Sequence, residues 1–305
     1  MLVLKLGRKE KIDHLTFALD GGTLAASGDF GVRLWRSLAD GDRAERLTDE
    51  RWLGAARFTP ADDRWLFAAS NHSVYRIHTA NGGCTASMLW GGDATWVEVS
   101  PVAPLILVAQ VLSIRLSRLA CWHADDLSPA GKVWERSFRA AGAHRPRFLP
   151  GGKRLAHLEG VWAPKRQRNE FRAVISDAAT GEPLGPSDAD HVVGYDSLLS
   201  PDGNLFAVRA TTGVEVYPVA GGPNVELRND NKKHFTGVAF HPGGRFLAVT
   251  SNDATVKLYD TTTWELTRTF TWDIGKMRSI AFSPDGTLAA AGSDKGQVIV
   301  WDVDG

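Results

Sequence analysis

The groups that could do chemistry in this 305-residue chain are 35 acidic residues, nine histidines and two cysteines. Their spacing matches no catalytic motif. A serine nucleophile elbow needs Gly-x-Ser-x-Gly; the nearest stretch, Gly194-Tyr195-Asp196-Ser197-Leu198, ends in leucine. There is no HExxH, no GxxxxGK[ST] and no GxGxxG. Asp302-Val303-Asp304-Gly305 opens like a calcium loop, but the sequence stops before a loop of that length could form. His72 and His78 fall at opposite ends of one expected strand, too far apart to share a metal. Cys84 and Cys121 form no CxxC pair, so reduced, buried thiols are expected and a small disulfide scaffold is excluded. No catalytic residue, metal or cofactor is implied.

Charge is the second kind of chemistry. The formal net charge is zero, which removes any global attraction to nucleic acid or membrane. The neutrality hides an asymmetry. Residues 132–172 hold eleven basic and three acidic residues, a local charge of +8, so the rest of the chain carries −8. Within that sector, Trp162 stands near Lys165, Arg166 and Arg168, an apolar anchor with cationic neighbours of the kind enriched at binding hot spots. The alternative is that these residues alternate along strands and disperse over several faces as solvated surface.

These groups must be positioned by elements, and the elements repeat. An apolar strand, a Pro-Asp-Gly-like turn and a second apolar strand recur seven times. The clearest copy is Ile280-Ala281-Phe282-Ser283-Pro284-Asp285-Gly286-Thr287-Leu288-Ala289. The proline slot falls at 19, 60, 101, 150, 201, 242 and 284, with leucine at 19, so successive spacings are 41, 41, 49, 51, 41 and 42. Proline presets φ at the first turn position and glycine supplies positive φ later. A third strand follows in each copy, as in Val298-Ile299-Val300-Trp301, and a weaker fourth, as in Leu266-Thr267-Arg268-Thr269-Phe270. No helical stripe competes. Four short strands per unit at this period predict an all-β, seven-bladed propeller of four-stranded antiparallel blades.

The repeat resembles the WD40 family. The matching residues are Phe282-Ser283-Pro284-Asp285-Gly286, Ser293-Asp294 and Trp301-Asp302 in the last copy, and Ser251, Asp253 and Tyr259-Asp260 in the copy before it. The resemblance implies one propeller over 1–305. Residues 1–7 would supply the outer strand of the last blade, otherwise 277–305, and so close the ring. It implies a channel-mouth position six residues before the turn proline, occupied here by Asp13, Gly54, Thr95, His144, Tyr195, Thr236 and Arg278. That is a mixed polar rim. The family's Gly-His dipeptide is missing; Asn231 and Asp273 fall near its histidine slot, and Asp29, Asp253 and Asp294 can still close the turn between second and third strands. Trp35 and Trp301 occupy the family's third-strand core slot, whereas Trp52, Trp96 and Trp272 fall near the mouth. The two stretched spacings place extra residues around 111–118 and 160–169, expected as loops on the mouth face.

The expectation is a non-catalytic scaffold that binds a peptide or acidic protein segment through Asp13, Thr95, His144, Trp162, Lys165, Arg166, Arg168, Tyr195, Thr236 and Arg278. A channel hydrolase or lyase, and binding of nucleic acid or another polyanion by the 132–172 sector, are the alternatives. Nucleic acid ranks below protein. The N-terminus lacks a signal-peptide pattern, and the longest apolar run, Val102 to Leu112, is far shorter than the roughly 20 residues a membrane helix needs. A cytoplasmic monomer without membrane contact is therefore expected.

Overall fold

A computed structural model describes residues 1–6, 10–39, 43–48, 55–59, 62–70, 72–88, 93–113, 116–137, 146–163, 168–184, 196–210 and 213–305. Within these, strands form seven antiparallel sheets and no helix. Blade 1 comprises His14–Phe17, Leu24–Gly28, Gly31–Trp35 and Glu45–Thr48; blade 2, Arg57–Thr59, Asp62–Ser70, Ser73–His78 and Cys84–Met88. Blade 3 comprises Asp93–Val99, Leu105–Ser113, Leu116–His123 and Pro129–Ser137. In blade 4 three strands are described, Arg147–Phe148, Arg154–Ala163 and Arg168–Asp177, with a single bridge from Ser176 to Pro183 where an outer strand would run. Blade 5 comprises Asp196–Leu199, Leu205–Arg209, Gly213–Pro218 and Val225–Arg228; blade 6, Phe235–Phe240, Phe246–Ser251, Thr255–Asp260 and Leu266–Thr271. Blade 7 has Met277–Phe282, Leu288–Ser293 and Gln297–Asp302.

The N-terminal strand Leu2–Lys5 completes blade 7. It pairs antiparallel with Gln297–Asp302, Leu2 opposite Val300 and Lys5 opposite Gln297. Each inner strand region touches the next blade, and blade 1 touches blade 7, so the seven sheets form a closed ring. Pairing the last outer edge removes an exposed ladder that would otherwise recruit another chain.

Why a ring rather than a stack follows from the core. The described residues form seven apolar clusters, and each lies at one seam between neighbouring blades. A blade has two apolar faces and cannot bury both alone, so burial requires a neighbour on each side. This explains why middle strands such as Leu24–Gly28 are buried at every position while the outer strand Leu266–Thr271 is almost wholly exposed. Trp35 and Trp301 are buried as expected.

The recurring turn works by a local mechanism. In blade 7, Ser283 Oγ donates to Asp285 at 2.6 Å, Asp285 accepts the Thr287 amide at 3.1 Å, and Gly286 takes φ +77°. Ser200, Asp202, Gly203 and Asn204 repeat the arrangement in blade 5. These hydrogen bonds hold the Asp285 and Asp202 carboxyls below the usual carboxylate range, the serine contributions being largest.

The missing histidine is replaced in blade 6 by a different network. Buried Lys257 donates to Asn229 Oδ1 at 3.0 Å and to Asp230 at 3.1 Å; Asn229 Nδ2 in turn donates to Ser251 Oγ at 3.0 Å. Asn231 caps Asp253 at 2.6 Å. In blades 1 and 7 the indole N–H groups of Trp35 and Trp301 find no partner among the described residues.

One expectation is corrected. The described extra residues of the third and fourth copies, 111–113, 116–118, 160–163 and 168–169, lie in strands and not in irregular loops. They lengthen the hairpin between second and third strands. In blade 4 ten residue pairs run from Arg154 opposite Asp177 to Ala163 opposite Arg168. In blade 3 the ladder reaches Ser113 opposite Leu116. Continuing a ladder satisfies every backbone donor and acceptor that a loop would leave to water.

Candidate functional site

The innermost strand of each blade borders the central channel, and residues on and just before these strands line the cavities there. The −6 positions of blades 1, 6 and 7 meet as expected: Asp13, Thr236 and Arg278 all line one cavity of about 350 Å3 at the mouth. Arg278 donates to Asp13 Oδ1 through Nε at 2.9 Å and Nη2 at 2.7 Å, joining blade 7 to blade 1. Thr236 donates to the Met277 carbonyl at 2.7 Å, joining blade 6 to blade 7. Thr95 lies in the strand Asp93–Val99. Trp162 and Arg168 lie in the paired strands of the long blade 4 hairpin, one step apart in register. His144, Lys165, Arg166, Tyr195 and Gly54 lie outside the described residues, as does Trp52.

The residues that dominate the cavity were not among the candidates. Arg57, Arg147 and Arg209 line it with Arg278, so guanidinium groups arrive from blades 2, 4, 5 and 7. Asp29, Asp196, His14 and Trp96 complete its polar wall. Trp96 does not face a partner; it is 1% exposed, and Arg57 and Arg147 both pack on its ring, at 4.6 and 4.5 Å from the centroid. Glu98 lies between the same two arginines, 2.8 Å from Arg147 and 3.7 Å from Arg57. Trp272 is half-buried and stacks on Phe270 at 5.3 Å.

A usable signal existed. Three residues before each turn slot the chain reads Thr16, Arg57, Glu98, Arg147, Leu198, Ala239 and Ala281. Two arginines flank a glutamate on three consecutive blades. Below them a second cavity of about 520 Å3 opens toward the turn side of the ring and is walled by Phe17, Phe148, Phe240 and Phe282. Arg57 and Arg147 line both cavities and so mark where the two meet.

Among the described residues the cations of the basic sector do not lie together. Arg147 lies in the channel with Glu98. Lys153 and Arg154 are exposed at the turn end of blade 4. Arg168 is nine steps along the same ladder from Arg154, about 30 Å at the strand rise of about 3.3 Å per residue. Charges contiguous in sequence therefore divide between the channel and opposite ends of a blade.

Among the described residues no three His, Cys, Asp or Glu side chains gather to hold a metal. Cys121 is buried, which pushes its thiol up to about 11 and keeps it protonated at neutral pH; Cys84 is exposed. Among the described residues no helix is long and apolar enough to cross a membrane.

With this geometry in hand, the repeat can be compared with known proteins. The family described as WD domain, G-beta repeat matches residues 226–260 and 264–302. Each match starts on, or two residues before, the outer strand of one blade and ends on the third strand of the next, the same offset by which Leu2–Lys5 closes blade 7. These WD40 repeats, together with WD repeat-containing relatives, support placing the chain in the WD40-repeat family. This WD40 propeller is similar to the WD repeat-containing protein VIP3 of Arabidopsis thaliana, 28% identical over 203 residues, covering 61% of this chain and 58% of that protein. It is also similar to the uncharacterized WD repeat-containing protein sll1491 of Synechocystis, 30% identical over 99 residues, 32% of this chain and 28% of that one. A third relative is the Target of rapamycin complex subunit wat1 of Schizosaccharomyces pombe, 24% identical over 147 residues, 34% of this chain and 47% of that one. The matched stretches thus span between 28% and 58% of these relatives' own lengths.

Proposed function

We propose that this WD40 propeller is a non-catalytic interaction platform that grips a peptide or acidic protein segment across the channel mouth, with Trp162, Lys165, Arg166 and Arg168 as a second contact. The observation that carries the reading is the convergence of four arginines from four blades on one mouth cavity. A rigid ring holds them at low entropic cost, and arginine is the residue best suited to bidentate capture of carboxylates. The printed name of one relative, a complex subunit, supports a protein partner. A hydrolase or lyase reading finds less support, because Asp13 is engaged by Arg278 and Glu98 by Arg147.

The test is affinity capture from native lysate with identification by mass spectrometry. Wild type is compared with Arg278→Glu and with Lys165→Glu/Arg166→Glu/Arg168→Glu, at matched circular dichroism. A partner held by wild type and lost by Arg278→Glu places binding at the mouth. Loss only in the triple variant places it on the hairpin. Equal capture by all three would overturn the reading.

A further inference from the structure

Beside the mouth cavity lies a third, larger one of about 560 Å3, formed by blades 5, 6, 7 and 1. It shares Arg209, Thr236 and Arg278 with the mouth, so a chain lying across one runs into the other. Its charge is one-sided. Lys11, Arg209, Lys276 and Arg278 line it together with His234, against the single carboxylate of Asp294.

That carboxylate is already committed: Asp294 Oδ1 accepts the backbone amide of Lys276 at 3.0 Å. The walls are locked as well. Arg209 Nη1 donates to the Phe235 carbonyl at 2.9 Å, Arg278 is held by Asp13, and the His234 amide donates to Asn252 Oδ1 at 3.2 Å. Lys11 and Lys276 are exposed, and no carboxylate among the described residues pairs with either ammonium. The result is a cleft with two fixed guanidiniums on its wall and two ammonium groups at its edge. In such a concave site the potentials of like charges add, which draws in anions.

We infer that this cleft is where the partner's acidic residues dock: a short peptide segment carrying two or more carboxylates. The inference rests on the proposal that the mouth binds a chain, and it names the wall and the charge of what binds. Size favours a segment over a lone ion, since clefts of about 300–1,000 Å3 suit ligands much larger than a single carboxylate or phosphate. Continuity with the mouth favours an extended chain.

The probe is a fluorescein-labelled hexaglutamate peptide, followed by anisotropy with the full chain at two salt concentrations. Variants are Lys11→Glu/Lys276→Glu in the cleft and Lys5→Glu, a control of the same sign on the outer strand of blade 7, all checked for unchanged melting. We expect salt-sensitive binding by wild type and by Lys5→Glu, and roughly tenfold or greater weakening in the cleft variant. Equal affinity for cleft variant and wild type, or equal loss in Lys5→Glu, would overturn the assignment. Tighter binding of an oligothymidylate of matched charge would overturn it in favour of a nucleic-acid surface. Failure of the mouth proposal looks different: wild type then captures no partner from lysate. Retained capture with no effect of the cleft variant overturns the cleft alone.

Discussion

Arg278 and Asp13 lie 265 residues apart in sequence, yet two guanidinium nitrogens of one reach the same carboxylate oxygen of the other at 2.7 and 2.9 Å. The pair spans the seam where the ring closes and sits on the rim of the mouth. Both side chains are about one-third exposed, 36% and 29%. Solvent therefore screens the attraction, and the pair contributes below about 1 kcal/mol to stability. Its effect is to fix where Arg278 points. Asp13→Asn is expected to shift the melting temperature by less than about 2 °C while changing partner capture. A large loss of melting temperature would contradict this division.

Glu98 behaves differently because it is more enclosed. It serves two arginines, Arg57 and Arg147, and these also share Trp96. Glu98→Gln leaves two partly buried guanidiniums side by side, at a cost of about 1–3 kcal/mol. Chemical denaturation should show that loss, and Arg57→Met in the same chain should restore part of it. An additive double variant would mean the three groups do not act together.

Closure of the ring by Leu2–Lys5 is also measurable. Leu4 is 2% exposed and belongs to the cluster that includes Ile12, Val298 and Val300 at the seam of blades 7 and 1. Leu4→Ala should cost about 2–5 kcal/mol. Deleting residues 1–7 should lower melting further and promote aggregation through the freed edge of Gln297–Asp302. Light scattering during the melt reads both.

The seam of blades 6 and 7 should respond to pH. His241 Nε2 donates to the Gly286 carbonyl at 3.0 Å, and Nδ1 accepts the Gly243 amide at 3.0 Å, an arrangement only the neutral ring can make. Burial holds the imidazole below its ordinary value of 6.5, with Arg245 acting in the same direction and the Gly286 bond and Asp304 opposing. The unfolded chain takes up a proton as pH falls through 6.5, while the fold takes it up only lower. Stability from this group is therefore intact above 6.5 and declines between 6.5 and the lowered folded value. Subtracting the melting profile of His241→Gln from that of wild type between pH 5 and 8 should isolate the slope; no difference would dismiss it. Gly286→Ala should destabilise at all pH values, since its Cβ would fall 2.3 Å from Nε2 at a φ of +77°.

What the sequence determined by itself was everything encoded locally. Each turn is set by three or four adjacent residues, such as Ser283, Asp285 and Gly286, and the period of the turns counts the blades. Even closure was legible, because the last repeat ends at its third strand and Leu2-Val3-Leu4-Lys5 had no repeat of its own. The binding face was only partly legible. Asp13, Thr236 and Arg278 share one offset and line one cavity; Arg57 and Arg147 share another offset, but that they reach the same cavity, and that Arg209 joins them, emerged only in three dimensions. Alternation along a strand says that successive residues face the two neighbouring blades; it does not say how deep a long side chain from one blade reaches toward the channel. The same limit explains the basic sector. Eleven cations in one stretch look like a patch, but a ladder nine steps long carries Arg154 and Arg168 to opposite ends of a blade. The cationic cleft instead draws Lys11, Arg209, Lys276 and Arg278 from three blades. Residues so far apart in sequence become neighbours only when seven seams are buried at once, and that is a property of the closed ring rather than of any segment.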